Sequence, residues 1–512
     1  MRPNIPGQVL VAQIAMETAF PLKVVAASLK SELQVRPAVL ERLLLALFLL
    51  SLPFSNPWVR GDGVGYYAYA RAPLIEHSLD FTHDYQSANE SFREGRLDEN
   101  GLPRSAFRTP TGHLDNHFTV GPAMLWSPFL LSAHAGVLLA RGLGASVSAD
   151  GFSGPYRYAM ALGTAVYGFL GLLLSFRLAS KYVQPLWAFI ATLAIWGASS
   201  LPVYMYFNPS WSHAHSAFAV ALFLWYWDRT RDQRSTGQWV ALALIASLML
   251  NVYYANLMVV SVLLVEAFWK YAEISRTQTA SAKEIRSLLA QQLLFGVVVC
   301  IGLLPTFLSR SIVYGGPLET GYVSIRDFLW SSPKFFDVLF SANHGLLSWT
   351  PVVVLCFPGL ILMARRLPRL GVPLITAAVV FYLFFTLYPD WAGISSYGNR
   401  FFISLTAIFI LGLAAGLEWL ATQFAAQRRA VILSVGVLAC LVLWNFGLIY
   451  QWGTHLIPAR GPISFSQAAY NQVHIVPQQL SSHLRSYFFQ RSDLMRQIEQ
   501  KDVEQMRKNA DP

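Results

Sequence analysis

Between Val59 and Tyr85 the chain reads VRGDGVGYYAYARAPLIEHSLDFTHDY. Asp62 stands there in a glycine-flanked turn, followed by Glu76, His77, Asp80, His83 and Asp84. A carboxylate within reach of a hydroxyl can take its proton. The other reading of Asp62 is an Asx-type turn residue ahead of Gly63. His83 and Asp84, with Asp62 or Asp80, offer an oxygen-rich set suited to magnesium or manganese. A solvated acidic loop is the better reading of those acids. Arg400, in SYGNRFF, follows a Gly-Asn turn. Its fork of donors suits two oxygens of a phosphate, or it snorkels to the membrane edge as an ordinary interfacial arginine. His117, in Asp115-Asn116-His117, is a second cationic candidate, although histidine is a less reliable donor near neutral pH. His213 and His215 are two apart, so they point apart on a helix and read as packing residues.

The elements that must hold these residues are membrane helices. The chain is 54% hydrophobic and 13% charged, with a mean hydropathy of +0.42. A soluble domain has about 25% charged residues. Apolar runs of about 20 residues recur, each long enough to cross roughly 30 Å of hydrocarbon. Without period-2 alternation they are helices. The net charge is +10, but residues 60–115 carry nine acids against six arginines, or −3, leaving +13 elsewhere. That basic excess collects in short loops on the cytoplasmic side rather than marking a nucleic-acid surface. Cys300, Cys356 and Cys440 all fall inside apolar segments, with no metal or disulfide spacing, and read as core residues.

Residues 1–37 alternate apolar and charged positions, as an interfacial helix or a disordered leader would. The first membrane helix covers about 37–54, flanked by Arg36 and Arg42, so it starts inside. The loop 56–117 is then external. Further helices are expected near 118–140, 156–176, 185–201, 211–227, 238–251, 256–269, 290–309, 345–364, 372–388, 401–423 and 430–450. The loops 312–344 and 389–400 are external. Charge assignments read from the two ends collide by one crossing between Arg141 and Arg234, so the true count is 11 or 13 rather than twelve. The tail 453–512 is polar. Tyr487, Phe488, Leu494, Met495 and Ile498 recur at helical spacing in it, as in a surface helix lying on the membrane. No internal repeat is visible.

The acidic first loop with Asp62, His117-x3-Gly121-Pro122, HGLLSWTP (344–351) and SYGNRFF (396–402) occur in an order that resembles the GT-C superfamily of membrane glycosyltransferases. Protein O-mannosyltransferases and the lipid A aminoarabinose transferase belong to it. The resemblance covers about residues 38–450. It implies an all-α bundle of 11–13 transmembrane helices with a large first external loop. It also implies inverting transfer of a sugar from a polyprenyl-phosphate carrier to an acceptor hydroxyl, with Asp62 as base. The implied substrate- and phosphate-binding set is Arg400, His117, His344, Asp84 and Tyr397. His344 touches phosphate or sugar, or else caps locally. Tyr397 stacks on sugar with Tyr66, Tyr67, Tyr69 and Trp391, unless these form only a membrane-edge belt. The mannosyltransferases have Asp-Glu where this chain has Asp62-Gly63, which weakens a protein acceptor. His117 stands where the aminoarabinose transferase has lysine. No cofactor is expected, and a divalent cation is not favoured. The expected partners are the lipid-linked donor, an envelope lipid, glycan or protein acceptor, and the bilayer of a bacterial inner membrane. A transporter or a lipid-linked polysaccharide ligase or polymerase is the alternative.

Overall fold

The computed structural model describes residues 35–276, 282–424 and 426–510, so the expectation for the N-terminal leader lies almost wholly outside the described residues. It is helical throughout, with two isolated β-bridges in the first loop and no strand among the described residues. The long helices are α1 (Pro37–Ser51), α2 (Asp62–Arg71), α3 (Gly121–Gly142), α4 (Gly154–Ser180), α5 (Pro185–Gly197), α6 (His213–Thr230) and α7 (Thr236–Val252). They continue as α8 (Ser261–Arg276), α9 (Ala282–Gly302), α10 (Leu304–Tyr314), α11 (Cys356–Arg366), α12 (Pro368–Leu387), α13 (Thr406–Ala421) and α14 (Gln427–Gly453). Three tail helices follow: α15 (Phe465–His474), α16 (Val476–Phe489) and α17 (Arg491–Ala510). Among the described residues seven stretches are long and apolar enough to span a membrane, and α5 and α7 are shorter apolar helices. The chain is a multi-pass membrane protein.

The ends of the helices fix their direction. Arg177 at the end of α4 pairs with Glu41 at the start of α1 at 2.8 Å. Lys181 and Tyr182 just beyond it hold Asp228 at the end of α6, at 2.7 and 2.5 Å. These contacts define an inner face rich in Arg and Lys, as cytoplasmic faces are. The start of α4 lies at the opposite, outer face. There Gly151 and Asp150 accept hydrogen bonds from Tyr67 and Arg71 of the first loop. The chain therefore leaves α1 and enters α4 on the same side, and α3 between them does not cross.

This resolves the collision in the charge assignments. α3 has the composition of a span, yet it lies against the outer half of α4. Trp126 donates to Thr164 at 2.8 Å, and His134 meets the Tyr156 hydroxyl at 2.6 Å. The two helices are antiparallel. The segment expected to cross near 118–140 thus belongs to the external insertion, which runs on to residue 153. Apart from α3, six long apolar stretches and the shorter apolar helices α5 and α7 remain among the described residues. The cysteines also part company. Cys356 is buried, but Cys300 on α9 and Cys440 on α14 are exposed.

The first loop is built around a buried cation. Arg71, 1% exposed, gives Nε and Nη2 to the two oxygens of Asp84 at 2.7 and 2.6 Å, and reaches Glu76 at 2.7 and 3.0 Å. A guanidinium taken out of water needs such a complete set of acceptors. It also holds the Glu76 carboxyl down at about 2, with burial working against it and His83 helping. Asp84→Asn leaves Arg71 short of charge and is expected to cost about 3–5 kcal/mol, measured by thermal unfolding in detergent. Glu76 adds stability above its ordinary value of about 4.5 and loses that contribution as pH falls toward about 2. Protease sensitivity of residues 71–86 should rise over that window, and Glu76→Gln should flatten the rise.

Candidate active site

Asp62 begins α2, and its place is set by what precedes and follows it. Gly61 has φ +54°, a left-handed conformation that side chains resist, and a Cβ there would lie 3.2 Å from the Trp211 ring. The Trp211 indole N–H donates to the Arg60 carbonyl at 3.0 Å, fixing the turn. A Cβ on Gly63 would fall 1.9 Å from the Ser210 hydroxyl oxygen. The position after Asp62 therefore has no room for a side chain, which is why an Asp-Gly pair stands here.

Arg400 comes to Asp62 from the other end of the chain. It opens the 3-10 turn Arg400–Leu405 that leads into α13. Its Nη2 lies 2.9 Å from Asp62 Oδ2, with Arg400 10% exposed and Asp62 34%. The guanidinium lies over Trp211, 4.3 Å from the ring centroid, which holds it by cation–π attraction. Its Nε and Nη1 are buried without a hydrogen-bond partner. The Tyr204 hydroxyl lies beside the guanidinium, within its electrostatic reach, and accepts from the Tyr397 amide at 3.1 Å.

Tyr66, Tyr204, Tyr253 and Tyr388 are within electrostatic reach of both charges. Burial pushes the Tyr66 hydroxyl up to about 12, so it stays protonated while accepting from Ser212 at 2.9 Å. His213 is ringed by Tyr204, Trp211, Tyr253 and Phe401. These residues make the outer end of the bundle an aromatic-walled site around one ion pair. Among the described residues no three His, Cys, Asp or Glu side chains converge as metal ligands.

The other candidates divide. Asp84 is spent on Arg71 and is 3% exposed, so it does not face the site. Tyr397 is fully buried and does not stack in the open. Its hydroxyl donates to the Asn445 side-chain oxygen at 2.8 Å and ties the Arg400 turn to α14. His344 gives its Nδ1 proton to the Ala392 carbonyl at 2.8 Å, and its Nε2 is buried and unpartnered. Burial, with the nearby Arg400 charge, lowers it to about 4. It is neutral at ordinary pH, so it can accept a hydrogen bond but brings no positive charge to a phosphate. Its φ of +60° is a strained conformation for a residue with a side chain. His117 touches Phe118 and Tyr322, and Phe118 in turn packs on Tyr66. Asp80 caps the turn at Thr82. Tyr67 and Tyr69 donate to loop carbonyls.

Two residues escaped the sequence reading. Trp211, two residues before His213, carried no signal of its own in the sequence. Arg310, 1% exposed, spends its donors on the carbonyls of Asn116, His117 and Phe118 and on Tyr254. It clamps the end of the loop. An arginine near the end of an apolar run was the available signal.

Fold and site together define a multi-pass membrane protein with a charged, aromatic site at the outer end of its bundle. No family model matches the chain. No curated protein matches it. Among solved structures it is similar to ArnT from Cupriavidus metallidurans, solved bound to undecaprenyl phosphate. Identity is 16% and the TM-score 0.42, over 81% of this chain and 71% of that one. It is also similar to the archaeal oligosaccharyltransferase AglB from Archaeoglobus fulgidus, solved with an inhibitory peptide and a dolichol-phosphate. There identity is 13% and the TM-score 0.43, over 90% of this chain and 55% of that one, so this chain spans about half the length of AglB. At these identities and scores no residue role passes from either to this chain.

Trp211→Phe keeps a ring under Arg400 and removes the N–H that holds Arg60. It is expected to cost about 0.5–1.5 kcal/mol. Trp211→Ala removes both and is expected to cost about 3–5 kcal/mol. Thermal unfolding of the detergent-solubilised protein separates the two.

Proposed function

We propose that this protein is a membrane glycosyltransferase that moves a sugar from a polyprenyl-phosphate carrier to an acceptor hydroxyl at the outer face. One observation carries the reading: Asp62 and Arg400 form an ion pair in which two guanidinium nitrogens remain buried and unpartnered. Buried donors without acceptors are costly, and an anionic ligand supplies what they lack.

In the reaction, the free oxygen of Asp62, Oδ1, takes the acceptor hydroxyl proton. The acceptor oxygen attacks the anomeric carbon from the face opposite the phosphate, and the carbon–oxygen bond to the phosphate breaks. The electron pair leaves with the polyprenyl phosphate. Arg400 Nε and Nη1 meet the charge that develops there. The product is inverted at the anomeric carbon. Neutral His344 accepts from a sugar hydroxyl through Nε2, and the tyrosine walls pack against the sugar. The donor is an undecaprenyl-type phosphate in a bacterial inner membrane, and the acceptor an envelope lipid, glycan or protein. With no side chain after Asp62, a lipid or glycan hydroxyl fits better than a protein.

Asp62→Asn should lower transfer of radiolabelled sugar from polyprenyl-phosphate donors by about 10²–10⁴-fold in purified membranes, with folding intact. Arg400→Lys keeps the charge but loses the fork, and should also lose most activity. Full activity in Asp62→Asn would remove the base assignment.

A further inference from the structure

The tail packs on the rest of the chain rather than standing apart from it. It crosses the outer face and grips the segment that carries Asp62. Residues 53–60 are held on their inner side by the bundle. The Asn56 amide donates to the Tyr206 carbonyl at 2.7 Å, and Trp211 holds the Arg60 carbonyl. On their outer side they are held by α16 and α17. Tyr487 donates to the Phe54 carbonyl at 2.6 Å. Arg491 donates to the Ser55 and Pro53 carbonyls at 2.7 and 3.0 Å. The Asn56 amide group reaches Met495 Sδ at 3.2 Å.

The grip ends on Arg60, two residues before Asp62. Its Nη2 lies 2.6 Å from Asp502 Oδ2, and its guanidinium stacks over Trp58 at 4.3 Å. The other oxygen of Asp502 accepts from His455 Nε2 at 2.9 Å. His455 follows α14 with a φ of +62°. All three side chains are mostly buried, at 20%, 13% and 7% exposed for Arg60, Asp502 and His455. Arg60 is thus fixed twice, by its carbonyl to Trp211 and by its side chain to Asp502. One turn further back, Glu499 accepts from the Ser91 amide at 2.6 Å and from Asn89, so α17 also anchors residues 89–91 of the first loop.

We infer that Asp502 is a positioning residue for Asp62, acting through Arg60 and braced by His455. The inference rests on the glycosyl-transfer reading above. Asp502 touches no part of the site itself. It sets where the Gly61 turn points, and small misplacements of a reacting group lower the rate steeply.

The test uses the full-length protein with Asp502→Asn, Asp502→Glu, Arg60→Met and the Asp502→Asn/Arg60→Met double variant. Hydrogen exchange over residues 58–64 and the kcat and KM of sugar transfer are measured together. Asp502→Asn should speed exchange over 58–64 while leaving α3 unchanged. It should lower kcat about ten-fold with donor KM unchanged. Asp502→Glu, which keeps the charge, should recover part of the loss. The double variant should be no slower than either single one. Wild-type exchange and kcat in Asp502→Asn would overturn the inference, and so would losses that multiply in the double variant. If wild-type protein transfers no sugar from any polyprenyl-phosphate donor, the functional reading falls. The exchange comparison still decides whether Asp502 holds the turn.

Discussion

The contact between Asp62 and Arg400 is the constraint on which the outer half of the molecule depends. It joins the start of the first loop to the start of α13, far apart in sequence, across a gap of 2.9 Å. Trp211 makes that contact possible. Its ring edge excludes a side chain from Gly61, its N–H fixes Arg60, and its face supports the guanidinium. One side chain therefore positions both charges. The Arg400 turn is held in turn by Tyr397, which is locked to Asn445 and to Tyr204. These residues look inert one by one. Together they keep an arginine almost out of water with part of its hydrogen-bonding capacity unspent.

A desolvated guanidinium with two idle donors is a strained state of affairs, because burial penalises a charge that is only half answered. The first loop shows the contrast. Arg71 is as deeply buried but fully answered by Asp84 and Glu76, and it serves as a structural centre. Arg310 likewise has a partner at every guanidinium nitrogen, from backbone carbonyls and Tyr254. These three buried arginines thus differ in one respect. In Arg71 and Arg310 every guanidinium nitrogen has a partner, and in Arg400 two do not.

The sequence made the bundle legible because lipid admits few backbone solutions, and apolar runs of sufficient length are visible in composition alone. It made Asp62 and Arg400 legible because each follows a glycine-containing turn at the end of an apolar run. It misjudged Asp84, since an acid in a polar loop looks the same whether it meets solvent or a buried arginine. Tyr397 read as a stacking aromatic because burial depends on α14, which is remote in sequence. The helical spacing of Leu494, Met495 and Ile498 was real, but periodicity says only that a face is covered, not by what. Here the first loop covers it.

α3 is a 22-residue helix, long and apolar enough to span a membrane, that packs antiparallel to the first half of α4. Leu131, Leu138, Leu139 and Leu143 remain exposed along it. During synthesis such a segment meets the insertion machinery as a passable membrane span. Had it crossed, α4 would start on the wrong side and every later helix would be inverted, carrying Arg400 to the face opposite Asp62. Orientation is then not settled by α1 alone. It also depends on the hundred-residue insertion reaching its folded partners, α2 and the outer end of α4, before the bilayer claims α3 for itself.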